Sequence, residues 1–278
     1  MSDNKPRTEK DTLPIGYQGL SQAMRQSGGG FLAEIPDIWR QGRTVYGGLT
    51  AGLALAAAQR TFTQSPPLRS ANINFIGPVT GDALFTAALL RQGRNVTTVK
   101  VVGTCAGAVV ADIVFAFGNA RESIFEQGMS APQCPAPQEC EPFTPPGMAG
   151  FVPEFFNRFE TRLIDGARPF SGAEDAYIRV WSRHADPASR TGTGSFLTLS
   201  DVLPPAASPV LKKIGMISSV NFLLNLVTPS APETEDGWWQ VESRLTAARG
   251  GYSTQVMRLF DSRGKLAAEG LQSVAIFV

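Results

Sequence analysis

Between residues 121 and 150 the chain carries six prolines: Pro132, Pro135, Pro137, Pro142, Pro145 and Pro146. Proline has no N–H to give to a helix or a ladder, so neither a helix interior nor a central strand runs through such a stretch. With few periodic apolar positions, the segment reads as a linker. The expected organisation of the 278 residues is a flexible N-terminus at 1–12, one unit at 13–120, the linker at 121–150, and a second unit at 151–278.

The two units carry the same order of signals. In the first, GGLTAGLALAAAQRTF (47–62) is rich in helix formers and free of proline, which predicts a helix. LRSANINFIG, ALFTAALLRQG, VTTVKVVG and AVVADIVFAFG follow as β-branched and aromatic runs between turn residues, which predicts strands. In the second, SDVLPPAASPVLKK (200–213) is a shorter, proline-bearing helix candidate. MISSVNFLLNLV, GWWQVESRLTAA, YSTQVMRLFDS and KLAAEGLQSVAIFV follow it. The closing hairpins, 93–117 and 250–277, match best, and their turns TCAG and DSRG are hairpin-like. Aligned from their last Phe, Asp112 falls opposite Gln272. A helix followed by an antiparallel meander, twice over, predicts a duplicated α+β unit with the helix on one sheet face.

Composition narrows the function. Hydrophobic residues make up 43% and charged residues 18%, enough apolar surface for a core. A formal charge of +1 offers no basic surplus for a nucleic-acid backbone. No run approaches the roughly 20 apolar residues of a membrane span. The opening MSDNKPRTEKDTLP lacks the apolar centre of a secretory signal. Three cysteines, Cys105, Cys134 and Cys140, read as reduced thiols, and a cytoplasmic location is expected. His184 is the one histidine. A zinc site or a Ser-His-Asp triad would need it, and its surroundings, SRHADPASRTGTGS, read as an exposed loop or strand end. No metal and no cofactor are expected.

The ordered set VYGGLTAGLALAAA, PLRSANINFIGPVTGD and LRQGRNVTTVKVVGTCAGAVVADIVFAFG resembles the first half of the acyl-CoA thioesterase II family. LTLSDVLPP, ISSVNFLLNL and LAAEGLQSVAIF are similar to its second, catalytic half. The resemblance covers roughly residues 31–119 and 176–278. It implies a double hotdog fold, hydrolysis of acyl-CoA thioesters in fatty acid metabolism, and a homo-oligomer. It also implies an Asp, a hydroxyl residue and a Gln that hold a water. Asp201 and Gln272 match the first and last, and either Ser218 or Ser219 supplies the hydroxyl.

Each of these residues has a blander reading. Asp201, expected at a helix start, is a natural cap there. The same backbone potential would keep it ionised and ready to take a proton from water. Gln272 in a strand is either surface decoration or a buried water-holder, since an amide both donates and accepts. Ser218 and Ser219 are strand neighbours, so at most one faces the site. Gly47 and Gly48 open the first helix, where free N–H groups would hold a thioester carbonyl or a CoA phosphate; tight helix–sheet packing is the plainer reading. Two rivals stay open: an acyl-CoA hydratase, which would pair an Asp with the lone His184, and a non-catalytic acyl-CoA or lipid-binding module.

Overall fold

In the computed structural model, residues 16–213, 215–228 and 230–277 are described; the segment expected to be flexible, 1–12, lies outside them. The first unit runs α1 (Tyr17–Ala23), β1 (Arg25–Ser27), β2 (Gly30–Ala33), a small hairpin of β3 (Arg40–Gln41) and β4 (Thr44–Val45), and α2 (Gly47–Thr61). It continues with β5 (Leu68–Phe75), β6 (Ala83–Gln92), β7 (Val96–Cys105) and β8 (Ala108–Gly118). The second runs β9 (Phe159–Gly166), β10 (Tyr177–His184), α3 (Thr193–Leu199), β11 (Met216–Leu226), β12 (Trp239–Arg249), β13 (Tyr252–Phe260) and β14 (Leu266–Phe277).

Twelve strands form one antiparallel sheet in the order β1-β2-β6-β7-β8-β5-β11-β14-β13-β12-β10-β9. Read inward from either edge the order is the same, with β5 and β11 meeting at the centre. Their pairing runs from Asn221 opposite Asn74 to Asn225 opposite Ser70. Each unit thus covers the sheet edge that the other would leave open. This is a double hotdog, with its helices gathered on one face of a continuous sheet. The outer edges are blunted differently. β1 is three residues long and exposed. β9 is covered by the chain just before it, where the Phe143 N–H donates to the Thr161 carbonyl and the Leu163 N–H to that of Glu141.

The proline-rich segment is anchored along the second unit. Proline keeps its carbonyl as an acceptor. The Pro132 and Pro135 carbonyls accept from Arg179 (2.6 Å) and from the Trp181 indole (2.9 Å). Arg179 is a cation with 2% exposure. The strap and Gln240, which accepts at 2.5 Å, both bond its Nη2 and offset part of the cost of burying it, while Nε is buried without a partner among the described residues.

α2 is apolar all round, with Leu49, Leu53, Leu55 and its alanines buried, as befits a helix enclosed on every side. It crosses α3 at a distance that only hydrogen side chains permit. A Cβ on Gly48 would lie 2.3 Å from the Thr198 carbonyl and one on Gly52 2.1 Å from the Thr198 hydroxyl; α1 packs as closely on α3, where a Cβ on Gly194 would lie 1.9 Å from the Tyr17 hydroxyl. The Tyr46 hydroxyl donates to the Thr198 carbonyl (2.7 Å) and locks the crossing.

Two expectations are corrected. The second helix is not at 200–213: α3 is Thr193–Leu199, and the chain turns from Ser200 onward. Pro204, Pro205 and Pro209 cannot continue a helix, and each disfavours the helical conformation in the residue before it. The stretch TGSFLTL has modest helix propensity and is helical because packing against α2 overrides it. His184 is a strand end, as expected, but it is buried at 3% exposure, below α3.

Gly52 gives a test in which two effects predict opposite signs. Helix propensity makes Gly52→Ala stabilising by about 1 kcal/mol. The absence of room makes it destabilising by about 1–3 kcal/mol. We expect a lower urea midpoint for Gly52→Ala; a higher one would mean that the crossing has slack.

Candidate active site

α2 begins without a cap of its own. Its N-cap residue, Tyr46, offers no side-chain bond, and its first turn holds no acid. The free N–H groups of a helix start attract an anion. One arrives from the other unit: the Asp201 carboxylate, two residues past the end of α3, accepts from the Gly48 N–H. Gly47 makes the approach possible. A Cβ there would sit 2.8 Å from Asp201 Oδ2 and 2.9 Å from the Phe75 ring.

The opposite wall is the inner face of β11 and β14. Gln272, 2% exposed, donates through Nε2 to Asp201 Oδ1 (2.8 Å) and to Ser219 Oγ (3.0 Å). Ser219 faces inward because of an irregularity in β11: between Ser219 and Asn221 the register with β14 shifts by one residue. On a regular strand Ser219 would face away from Phe222, Leu224 and Leu226. The bulge at Val220 lets Ser219 share their buried side, the re-aiming for which bulges recur near functional sites. Ser218 points the other way and is exposed. Asp201, Gln272, Ser219, Gly47 and Gly48 therefore come together, while Ser218 does not join them.

His184 is elsewhere. Its Nε2 bonds the Ser195 carbonyl at 2.8 Å and its ring lies 4.8 Å from that of Phe159. Burial lowers its pKa to about 4, so it sits neutral in the core and forms no triad.

Sequence reasoning missed Gln255. It lies on β13 directly opposite Gln272, fully buried, and donates through Nε2 to Gln272 Oε1 at 2.7 Å. A signal existed: YSTQVMRLF and LQSVAIF form one hairpin, and each places a glutamine among inward-facing apolar residues.

Two family models match the chain, one described as the acyl-CoA thioesterase N-terminal domain over residues 35–118 and one as the acyl-CoA thioesterase C-terminal domain over residues 137–276. The chain belongs to the acyl-CoA thioesterase family. It is a hydrolase of that class, and acyl-CoA is the substrate that the family implies. No curated protein matches it. Among solved structures it is similar to a conserved hot dog fold protein of unknown function from Alicyclobacillus acidocaldarius, with TM-score 0.83 and 21% identity over 94% of this chain and 98% of that one. It is also similar to an acyl-CoA thioesterase II from Mycobacterium marinum, with TM-score 0.70 and 18% identity over 94% and 98%. At these identities the likeness is one of fold.

In this thioesterase the polar inner face belongs to the second unit. The matching hairpin of the first presents Val99, Val101, Ala111, Ile113 and Phe115 to the core. Asp112, aligned with Gln272 from the sequence, lies on the outer face and pairs with Lys100 at 2.9 Å. The alignment was out by an odd number of residues, which exchanges the two faces of a strand.

The charge on Asp201 is set by a contest. Burial raises its pKa to about 7, against the pull of the Gln272 side chain and the Gly48 N–H. The expectation of an acid held ionised at the start of its own helix is therefore corrected. Asp201 follows a helix end, the helix start that it caps is that of α2, and desolvation outweighs the bonds. A carboxyl poised near 7 suits proton transfer at neutral pH. It also has a stability cost. Between about pH 4 and pH 7 the folded state binds a proton at Asp201 that the unfolded state has released, so stability falls as pH rises through that window, by a few kcal/mol in all. His184, with a lowered pKa, acts in the opposite sense over an overlapping range. The comparison of Asp201→Asn with the parent cancels it. In thermal unfolding, the Tm difference should shift in favour of Asp201→Asn from about pH 4 to about pH 7; a difference independent of pH would contradict this assignment.

Proposed function

We propose that the enzyme hydrolyses acyl-CoA thioesters by direct attack of water, with Asp201 as general base. The observation that carries this reading is the single Gln272 nitrogen bonded to both Asp201 and Ser219 at the start of α2. A water docked beside them donates one O–H to Asp201 and accepts from the Ser219 hydroxyl, whose own oxygen is held by Gln272. The water oxygen adds to the thioester carbonyl carbon while Asp201 takes the proton. Collapse breaks the C–S bond, and the proton on Asp201 passes to the departing CoA sulfur, leaving the acid. The main-chain N–H groups that open α2 at Gly47 and Gly48 lie beside Asp201, and donors fixed at such a place stabilise the developing oxyanion. In the same reading, residues 151–278 carry the reacting groups and residues 13–120 the helix start that faces them.

A carboxylate has a second route, attack on the carbonyl to form a mixed anhydride. That route needs another base to activate water, and His184, buried and bonded to the Ser195 carbonyl, is not one. His184 in that setting also speaks against a hydratase that pairs Asp with His.

The test is thiol release from a panel of acyl-CoA substrates. Asp201→Asn should lower the rate by about 10²- to 10⁴-fold, and the parent's kcat/KM should rise with pH through about 7 as Asp201 ionises. A single turnover in oxygen-18 water decides the route: label in the Asp201 carboxylate would establish the anhydride and end the general-base reading. The serines give an independent check. Ser219→Ala should cost about 5- to 150-fold, the equivalent of one buried hydrogen bond, and Ser218→Ala less than about twofold. Equal, negligible effects would remove Ser219 from the site.

A further inference from the structure

A glutamine amide keeps its shape when it turns end for end, but its donor and acceptor exchange places. The reading above needs the Gln272 nitrogen, not its oxygen, beside Asp201 and Ser219. Asp201 alone does not secure this. With a pKa near 7, a large share of the carboxyl is protonated at neutral pH, and a protonated carboxyl donates readily to an amide oxygen. Something else has to hold the amide.

Gln255 is placed to do so. Its Oε1 accepts from the Ala206 N–H at 2.7 Å, and its Nε2 donates to Gln272 Oε1 at 2.7 Å. A main-chain N–H only donates. Ala206 therefore fixes the oxygen end of Gln255, which aims its nitrogen at Gln272. The Gln272 oxygen must face back, and its nitrogen is left for Asp201 and Ser219. The relay starts from a group that neither titrates nor flips. It is also short: Asp201 and Ala206 lie in one turn segment after α3, so a single piece of chain holds both ends of the glutamine pair. Both glutamines are buried, at 0% and 2% exposure, where water does not compete for their bonds. The same face of β13 carries Met257 and Leu259, so an apolar residue would serve packing alone at lower desolvation cost.

We propose that Gln255 is a positioning residue that fixes the polarity of the Gln272 amide and so keeps the base and the water site in working orientation. The proposal rests on the reading of Asp201, Gln272 and Ser219 as the reacting group. The elements around Asp201 bring to it Gly48 and Tyr46 from the start of α2, Ser219 from β11 and Gln272 from β14. Of these Tyr46 alone titrates, and burial and then the Asp201 charge hold it protonated.

Gln255→Glu tests the relay by its pH profile. Protonated, the new carboxyl keeps the pattern of the amide, accepting from Ala206 and donating to Gln272. Ionised, it has only acceptors, so it draws the Gln272 N–H to itself and turns the amide oxygen toward Asp201. The variant should therefore approach parental kcat at about pH 6 and fall by about 100-fold on the alkaline side, where the parent holds a plateau. Gln255→Met frees the amide without adding a charge. It should lower kcat by about 10-fold, the scale of one lost hydrogen bond, with KM little changed. Its acid limb should move to higher pH, because a nitrogen that held the Asp201 pKa down is no longer fixed there. Asp201→Asn and Gln272→Ala are measured alongside. If they lose activity while both Gln255 variants keep the parental kcat and profile, the relay is overturned and the site stands. If Asp201→Asn and Gln272→Ala themselves keep activity, the reading of the site fails and the relay with it.

Discussion

The crossing of α2 and α3 is the constraint on which the rest depends. Helices with ordinary side chains pack with axes 8–10 Å apart. Here Gly48 and Gly52 remove the side chains at the crossing, and the Thr198 carbonyl and hydroxyl occupy the space where their Cβ atoms would be, while Gly194 makes the same room for Tyr17 of α1. The short α3 ends against the first turn of α2, and two residues later Asp201 meets the Gly48 N–H. A side chain at Gly47 or Gly48 would separate the carboxylate from the helix start before it altered any chemistry. Packing and site geometry are thus one requirement, and each of these glycines answers to both.

At Asp201 two physical effects oppose each other, and their order matters. Hydrogen bonds from a helix start and from an amide favour the carboxylate, while removal from water favours the neutral acid. Burial wins here, and the pKa rises to about 7. Were the bonds to win, the group would be ionised at all working pH values but a weak base. The residue is partly open to solvent while its carboxyl is enclosed by Gly47, Gly48, Phe75 and Gln272. That enclosure sets its basicity, and the opening leaves a path for a reactant.

How much of this was legible in the sequence follows from what each residue's signal depends on. α2 and the long strands of both meanders were legible, because their signals are local: alanine-rich helix formers, β-branched runs, and hairpin turns such as TCAG and DSRG. α3 was not, since TGSFLTL is helical through its contact with α2 and the stronger-looking segment after it is broken by prolines. β10 was overlooked for a related reason. YIRVWSRH carries Arg179 and Arg183 on its outer side, and the buried Arg179 bonds the Pro132 carbonyl of the proline-rich strap. The choice between Ser218 and Ser219 depended on a one-residue bulge that leaves no sequence signature. Asp201 and Gln272 were reached through resemblance, not through local pattern. Gln255 needed the pairing register, which places it across from Gln272.

Duplication explains why one site draws on both units. Two equal hotdog units joined at β5 and β11 would present two equivalent inner faces, each facing a helix start. In this chain the faces have diverged. The first unit has an apolar hairpin and a fifteen-residue helix enclosed on all sides, so it supplies much of the shared core and the rigid start of α2. The second has a seven-residue helix, a turn segment rich in proline, and a hairpin holding two buried glutamines. Buried amides are costly unless every bond is made, and a short helix leaves its following turn free to make them. That turn supplies the Ala206 N–H at one end and the Asp201 carboxylate at the other. The stability given up on one side of the junction is offset by the apolar packing on the other, which lets a polar, strained-for-space arrangement persist within one cooperative sheet.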